Sequence, residues 1–385
     1  MATATPDRTL LPTEEPLALL RPDGSAVEGS PLRMPDDEVL LELHRRMVVG
    51  RRFDTQATAL TRQGRLAVYP SSRGQEACQV GAVLAMRERD WLFPTYRDSV
   101  ALVTRGVPAA GALTLLRGDW HLGYDPREHR VGPQCTPLAT NTPHAVGFAH
   151  AARYKGEDTA ALVLLGDGAT SEGDTHEALN FAGVWKAPVV FLVQNNGYAI
   201  SVPLSKQTAA PTLAHKGIGY GIRSVLVDGN DAAAVYAVVS QALASGEPVL
   251  VEALTYRIEA HTNADDASRY RDSAEVAHWL ARDPVDRLAS HLASRGLLDP
   301  ARRDSVDAEA EEFAAALRAE LNADARVDPA DLFRHVYAEP TAQLREQAAM
   351  LARELDAEGL GAEGLGAEGL GAGTMGAEKS DGGRA

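Results

Sequence analysis

The chain has 385 residues, ~2–3 times the common domain size, so it can bury a large core without disulfides or structural metals. Lys and Arg number 38 against 53 Asp and Glu, a net charge of −15, which argues against a surface built to neutralise nucleic-acid phosphates. Cys78 and Cys135 are too few for a secreted disulfide framework or a four-thiolate zinc site, and apolar runs such as Ala160–Leu165 fall far short of the ~20 residues of a membrane span. A cytoplasmic protein is expected, with neither nucleic acid nor membrane as a partner.

Residues 1–35 read as a loose N-terminal arm, because Pro6, Asp7, Glu14, Glu15 and Pro16 do not make a basic segment followed by an apolar one. Asp36–Gln63 has the spacing of one long amphipathic helix, with Asp36 or Asp37 at its entry and Gly64 at its stop. A second helix is predicted after Ser72, running to Glu88. In the middle, four apolar runs at Ala160–Leu165, Val189–Val193, Ile222–Val227 and Val249–Tyr256 alternate with helical stretches at Asp174–Lys186, Thr208–Tyr220 and Asp231–Ala244. That alternation implies an α/β fold, a parallel sheet flanked by helices on both faces, with its ligand crevice beyond the carboxyl ends of the strands. Further helices are predicted at Ser273–Arg282, Pro284–Arg295, Ala301–Leu321 and Thr341–Leu355. The expected organisation is an α/β domain with C-terminal helices over 36–340, a terminal helix over 341–355 and a disordered Gly/Ala/Glu tail over 356–385. In that tail Ala-Glu-Gly-Leu-Gly recurs three times between Ala357 and Gly371.

The strand ends carry the informative residues. The first strand of the alternating region leads into Gly166-Asp167-Gly168, the second into Gln194-Asn195-Asn196-Gly197-Tyr198. Two glycines let the backbone turn sharply and approach a ligand, and the amides that open the next helix favour an anion in the same crevice. Asp167 offers a hard anionic oxygen and Asn196 a neutral carbonyl oxygen, a set suited to magnesium bridged to a diphosphate. A Gly-Asp-Gly triplet by itself is usually a turn. Here the triplet and the Asn pair each end a strand of one parallel sheet, joined by one helix, so their oxygens can converge. Other phosphate and hydrolase motifs fail: Gly166 opens Gly-x-Gly-x-x-Ser without a third glycine, and neither Gly-x-x-x-x-Gly-Lys-Ser/Thr nor Gly-x-Ser-x-Gly is present. His176-Glu177 is followed by Asn180 where a zinc peptidase needs a second histidine.

Gly166-Asp167-Gly168 through Asn195-Asn196 resembles the thiamine diphosphate signature. Thr136–Asn141, Ser171–Asp174, Asn195–Ser201, Val227–Asp231, Thr255–Arg257 and His261–Arg271 extend the likeness to the alpha subunit of 2-oxoacid dehydrogenase decarboxylating components, over roughly residues 38–300. Pro137–Thr140 and Asn196–Ser201 look closest to the branched-chain enzymes. The resemblance implies that Asp167, Asn196 and the backbone carbonyl of Tyr198 hold magnesium against the diphosphate. By the same likeness, Gly166, Gly168 and Ala169 belong to the cofactor turn, Gly168 and Ala169 offering backbone amides. Tyr96-Arg97 matches a pair on the diphosphate, where a guanidinium can bond two oxygens. Thr136 and Leu138 would meet the thiamine portion. In many relatives the same loop holds potassium, here through Thr140, Asn141 and Pro137, with Asn141 in place of the usual glutamine. His261 matches a histidine near the diphosphate and the mouth of the site, and His121 one that faces the substrate; both are candidate catalytic residues. Gln194 stands where branched-chain relatives often have a diphosphate-binding arginine, which places more weight on Arg97.

The same likeness implies a partner. The glutamate that activates the aminopyrimidine lies, in this family, on a pyrimidine-binding domain that the chain lacks, so a beta subunit in an α2β2 heterotetramer is expected. Acyl transfer to a lipoyl transacylase core would follow, with the loop Glu259–Arg271 placed for access and gating. A branched-chain 2-oxoacid of the 3-methyl-2-oxobutanoate type is the expected substrate. Pyruvate and acetoin dehydrogenase alpha subunits share much of the pattern, and a noncatalytic scaffold is the remote alternative.

Overall fold

In a computed structural model, the described residues are 10–118, 120–323, 328–334 and 336–359. The chain divides into two compact units, 1–323 and 324–385. The first unit opens with α1 (Asp37–Arg62), α2 (Glu76–Leu84), β1 (Trp91–Phe93), α3 (Ser99–Thr104), α4 (Thr114–Arg117), α5 (Pro126–His129) and α6 (Asn141–Lys155). It continues through β2 (Ala161–Gly166), α7 (Gly173–Trp185), β3 (Val189–Asn195), the short β4 (Tyr198–Ala199) and β5 (Val202–Pro203), then β6 (Arg223–Asp228), α8 (Ala232–Ala244) and β7 (Val249–Leu254). Helices α9 (Ser273–Leu280), α10 (Pro284–Ser294) and α11 (Pro300–Asn322) complete it. The second unit contains α12 (Asp331–Arg334) and α13 (Ala342–Ala357), in which Ala330 and Ala348 are fully buried.

The apolar runs form one five-stranded parallel sheet in the order β1-β2-β3-β7-β6. Continuous apolar strands need cover on both faces, and they have it. Leu162, Leu164, Val190, Leu192 and Val251 enter one core with residues of α1, α2, α3 and α8, while Val163, Leu165, Phe191 and Val193 enter a second with residues of α6 and α7. Register then fixes the site. Gly166 pairs with Gln194, and Asn195 with Leu254, so β2, β3 and β7 end side by side.

Several elements differ from expectation for identifiable reasons. The second helix begins at Glu76 rather than after Ser72, because Ser72 N donates to Asp54 and Gly74 takes φ +94. Only Leu213–Tyr220 of the predicted Thr208–Tyr220 helix is helical, and it is a 3₁₀ helix. Within it, a Cβ on Gly217 would stand 2.0 Å from Ser224 Oγ, so the segment packs too tightly against β6 for ordinary side chains. The terminal helix runs to Ala357, and the expected disordered tail beyond residue 359 lies outside the described residues. The N-terminal arm, expected to be loose, is pinned from Leu17 onward. Leu17 bridges Val227 beside β6, and Asp231 Oδ2 accepts from both Leu19 N and Leu20 N at 2.7 Å. Arg287 donates to the Leu20 carbonyl and pairs with Asp228 at 2.9 Å.

Asp231 also caps α8 through Ala234 N, so one buried carboxylate ties the arm, α8 and α10 together. Asp231→Ala is expected to lower unfolding free energy by about 3–5 kcal/mol, the typical effect of breaking a buried charged pair. Urea denaturation measures the loss, and limited proteolysis should cut first within residues 10–35.

Candidate functional site

A cavity of about 140 Å³ opens at the carboxyl ends of β2 and β3. Gly166, Asp167, Gly168 and Ala169 reach it from β2, Gln194, Asn196, Tyr198, Ala199 and Ile200 from β3 and the β4 hairpin, and Arg257 and His261 from the loop after β7. Gln75, Thr95, Tyr96, Arg97, Cys135, Pro137, Leu138, Ala139 and Asn141 complete the wall. Ten of the twelve residues expected at the site therefore line one cavity. The other two do not. Thr136 is absent from the lining, and His121 is exposed beside Trp120, ring centroids 4.8 Å apart.

The glycines act differently from a left-handed phosphate turn, since neither Gly166 nor Gly168 has positive φ. Gly166 faces open space, whereas a Cβ on Gly168 would stand 2.7 Å from Ala199 Cβ, so Gly168 lets the β4 hairpin lie against the turn. The left-handed positions are instead Ala139 (φ +65) and Ile200 (φ +56), both on the cavity wall, where strained backbone often marks a functional surface.

Asp167 is buried and is the only carboxylate among the described lining residues. Burial pushes its carboxyl up from the usual range, against the pull of the Gln207 amide, the Asp167 and Asn196 backbone amides and the Arg257 charge. Gln207 Nε2 donates to Asp167 Oδ2 at 2.7 Å, while Gln207 Oε1 is buried without a partner among the described residues. Asn196 Oδ1 accepts from Tyr198 N at 3.2 Å, and its Nδ2 donates to Gln75 Oε1 at 3.2 Å.

Arg97 and Arg257 are both buried, 6% and 2% exposed, and neither pairs with a carboxylate among the described residues. Their donors go to neutral oxygens: Arg97 Nη1 to Ser71 O at 3.0 Å and Nη2 to His261 O at 3.1 Å, Arg257 Nη2 to Ile200 O at 2.8 Å and to Tyr270 Oη at 2.9 Å. Arg257 Nε is buried without a partner among the described residues. The Ser71 segment is itself held by Asp54, which accepts from Tyr69 Oη, Ser71 Oγ and Ser72 N at 2.6–2.7 Å. Burial pushes Asp54 up to about 6. Two guanidinia that face one cavity, neither paired with a carboxylate among the described residues, favour an anion there.

Arg97 Nη2 also lies 3.0 Å from His261 Nδ1. A guanidinium has no acceptor, so Nδ1 must accept and the neutral ring carries its proton on Nε2. Burial, then the Arg97 and Arg257 charges, bring His261 down to about 4. Its backbone N–H donates to Asp265 Oδ2 at 2.8 Å, and Tyr270 Oη donates to the same oxygen, which orders the loop. Asn141, expected beside potassium, directs its buried amide nitrogen to the carbonyls of Phe93, Pro94 and Leu164 at 2.8–3.3 Å.

Gln75, Asp98, Gln207, Asp54 and the role of Arg257 were not anticipated. Arg257 alone carried a sequence signal, an arginine just beyond the end of an apolar strand. The others act through partners 15–121 positions away in the chain.

The fold and cavity define a parallel α/β protein built to receive an anion at its strand ends. Residues 44–323 match the family described as "Dehydrogenase E1 component". The chain is 45% identical over 346 residues to a Mycobacterium tuberculosis protein named 3-methyl-2-oxobutanoate dehydrogenase subunit alpha, covering 89% of this chain and 94% of that one. It is 39% identical over 298 residues to a Staphylococcus aureus pyruvate dehydrogenase E1 component subunit alpha, covering 76% and 80%. The chain belongs to the dehydrogenase E1 family, as an alpha subunit of a 2-oxoacid dehydrogenase, an enzyme class that works in general with thiamine diphosphate. Among the described residues, no helix is long and apolar enough to cross a membrane.

The depressed basicity of His261 has a checkable sign. The unfolded ring takes a proton near 6.5 and the folded one resists it until about 4, so this group lowers stability as pH falls through that window. Arg97→Gln removes a neighbouring cation and should move the His261 titration upward, as read by NMR of the ring protons. An unchanged midpoint would remove Arg97 as a cause.

Proposed function

We propose that the cavity holds the diphosphate of thiamine diphosphate with magnesium, for oxidative decarboxylation of a branched-chain 2-oxoacid. The observation that carries this reading is the convergence of Asp167 and Asn196, from adjacent strand ends, on a cavity that also contains two guanidinia without counterions. A carboxylate, an amide oxygen and the Tyr198 carbonyl would leave the remaining positions of an octahedral cation to diphosphate and water. No group of three or more His, Cys, Asp or Glu able to hold a metal occurs among the described residues, so the cation would depend on the diphosphate for its other ligands.

Arg97 and Arg257 would hold the anionic oxygens, with His261 presenting its Nε2 proton as a neutral donor. Leu138 and Ile200, 39% and 55% exposed, would shield the cofactor rings from water at the mouth. The cofactor supplies the nucleophilic carbon and the electron sink for loss of carbon dioxide. The chain's own residues would bind and orient it, but no glutamate is among the described residues that line the cavity, so none there would activate the aminopyrimidine. That carboxylate would come from a beta subunit in an α2β2 assembly, and a lipoyl transacylase would accept the acyl group. The two relatives favour the branched-chain substrate, since the one named for 3-methyl-2-oxobutanoate is more alike over a longer span than the one named for pyruvate.

Two measurements test the reading. Asp167→Ala should abolish magnesium-dependent binding of thiamine diphosphate and Asn196→Ala should weaken it severely, each leaving the circular dichroism of the fold unchanged; wild-type calorimetric affinity would refute the clamp. On the complex reconstituted with its beta subunit, decarboxylation of 3-methyl-2-oxobutanoate should exceed that of pyruvate by about tenfold or more, a difference of ~1.4 kcal/mol. The reverse preference would overturn the substrate assignment.

A further inference from the structure

Asn196 lies at one end of a chain of buried side-chain amides. Its Nδ2 donates to Gln75 Oε1 at 3.2 Å, Gln75 Nε2 donates to Gln194 Oε1 at 2.9 Å, and Gln194 Nε2 donates to Asp98 Oδ1 at 2.7 Å. The other Asp98 oxygen accepts from Thr95 N and Thr95 Oγ1, both at 2.7 Å. All four side chains of the chain are at most 6% exposed.

An amide can face either way, but this sequence of bonds has one direction. Gln194 Oε1 faces the side-chain nitrogens of both Gln75 and Gln79, so Gln194 turns its oxygen to them and its nitrogen to Asp98. Gln75 must then present its nitrogen to Gln194 and its oxygen to Asn196, which leaves Asn196 to present its nitrogen to Gln75. Its Oδ1 is thereby kept as an acceptor, with one lone pair left beyond the bond from Tyr198 N. A second anchor agrees. Gln79 Oε1 accepts from Ala101 N at 3.1 Å and its Nε2 donates to Arg97 O at 3.2 Å, backbone groups that cannot exchange roles, so the nitrogen that also reaches Gln194 Oε1 at 3.4 Å is fixed.

We infer that Asp98 is a positioning residue that, through Gln194 and Gln75, orients the Asn196 amide oxygen toward the cation of the diphosphate. The inference rests on the clamp proposed above. It gives Gln194 a role different from the arginine of branched-chain relatives: a neutral link that transmits the direction set by Asp98. Partners behind a metal ligand fix its orientation, and their loss typically weakens metal binding by about 10–100-fold.

Gln194→Met keeps the length of the side chain and removes its bonds to Asp98, Gln75 and Gln79. Calorimetric titration of Mg²⁺ at fixed thiamine diphosphate, on the full chain in the assembly in which it purifies, should show its Kd raised by about 10–100-fold. The same change in an Asn196→Ala background should add nothing, because the link would have no ligand left to orient. Binding of inorganic pyrophosphate without metal, which depends on Arg97 and Arg257, should stay at the wild-type value. A wild-type Mg²⁺ affinity in Gln194→Met, or losses that add in the double variant, would overturn the relay while the clamp stands. An Asn196→Ala protein with unchanged affinity would remove clamp and relay together. Gln75→Met breaks the next link and carries the same expectations if the first variant does not fold.

Discussion

The structure depends on two guanidinia sharing one cavity, neither paired with a carboxylate among the described residues. Burying a charge without a counterion is costly unless hydrogen bonds replace its water. For Arg97 and Arg257 the replacements are almost all neutral: the carbonyls of Ser71, His261 and Ile200, the His261 ring and the Tyr270 hydroxyl. Burial, and then the Arg97 charge, push the Arg257 guanidinium below its ordinary value. Anionic groups are present in the surroundings but act at one remove. Asp54 holds the serines whose carbonyl meets Arg97, and Asp265 holds the His261 backbone and the Tyr270 hydroxyl.

This arrangement needs a rigid support, because neutral dipoles align with a cation only if their backbone is fixed. The parallel sheet provides it. Its two apolar cores lock the register that brings Gly166 level with Gln194, and Gly168 lets the β4 hairpin close against the turn. The left-handed Ala139 and Ile200 show where the fold accepts local strain, and both sit on the cavity wall. Asp231 performs a comparable task far from the cavity, joining the arm and α8 through bonds from three backbone amides and α10 through the Arg287 guanidinium.

The sequence reveals the elements whose pattern is local. Val189–Val193 is a buried strand because every residue in it is apolar, and Asp36–Gln63 is a helix because its apolar spacing persists for seven turns. Strand β1 is only Trp91–Phe93 and offers no period, while α6 begins Asn-Thr-Pro-His and lacks a strong apolar stripe, so neither stood out. The site divides in the same way. Asp167 and Asn196 could be found because each follows directly on a strand end. Asp98 and Gln75 could not, since a buried acid and an amide gain meaning only from the partner that folding brings to them.

Charge balance links the pieces. The cavity presents Arg97 and Arg257 together with Asp167, and Asp98 stands behind the wall with its carboxyl raised by burial and drawn back by its amide donors and Arg97. Beside the two cations stand two carboxyl groups, Asp167 on the wall and Asp98 behind it, both raised by burial. A lone divalent cation would meet two guanidinia, and a lone diphosphate would meet Asp167. A cation bound to a diphosphate would satisfy both sides, with Asp167 and the Asn196 oxygen to hold the cation and the guanidinia to hold the anion. On the proposed reading the site therefore selects the pair over either component, and a glutamine at position 194 preserves that balance where a third guanidinium would shift it toward the anion alone.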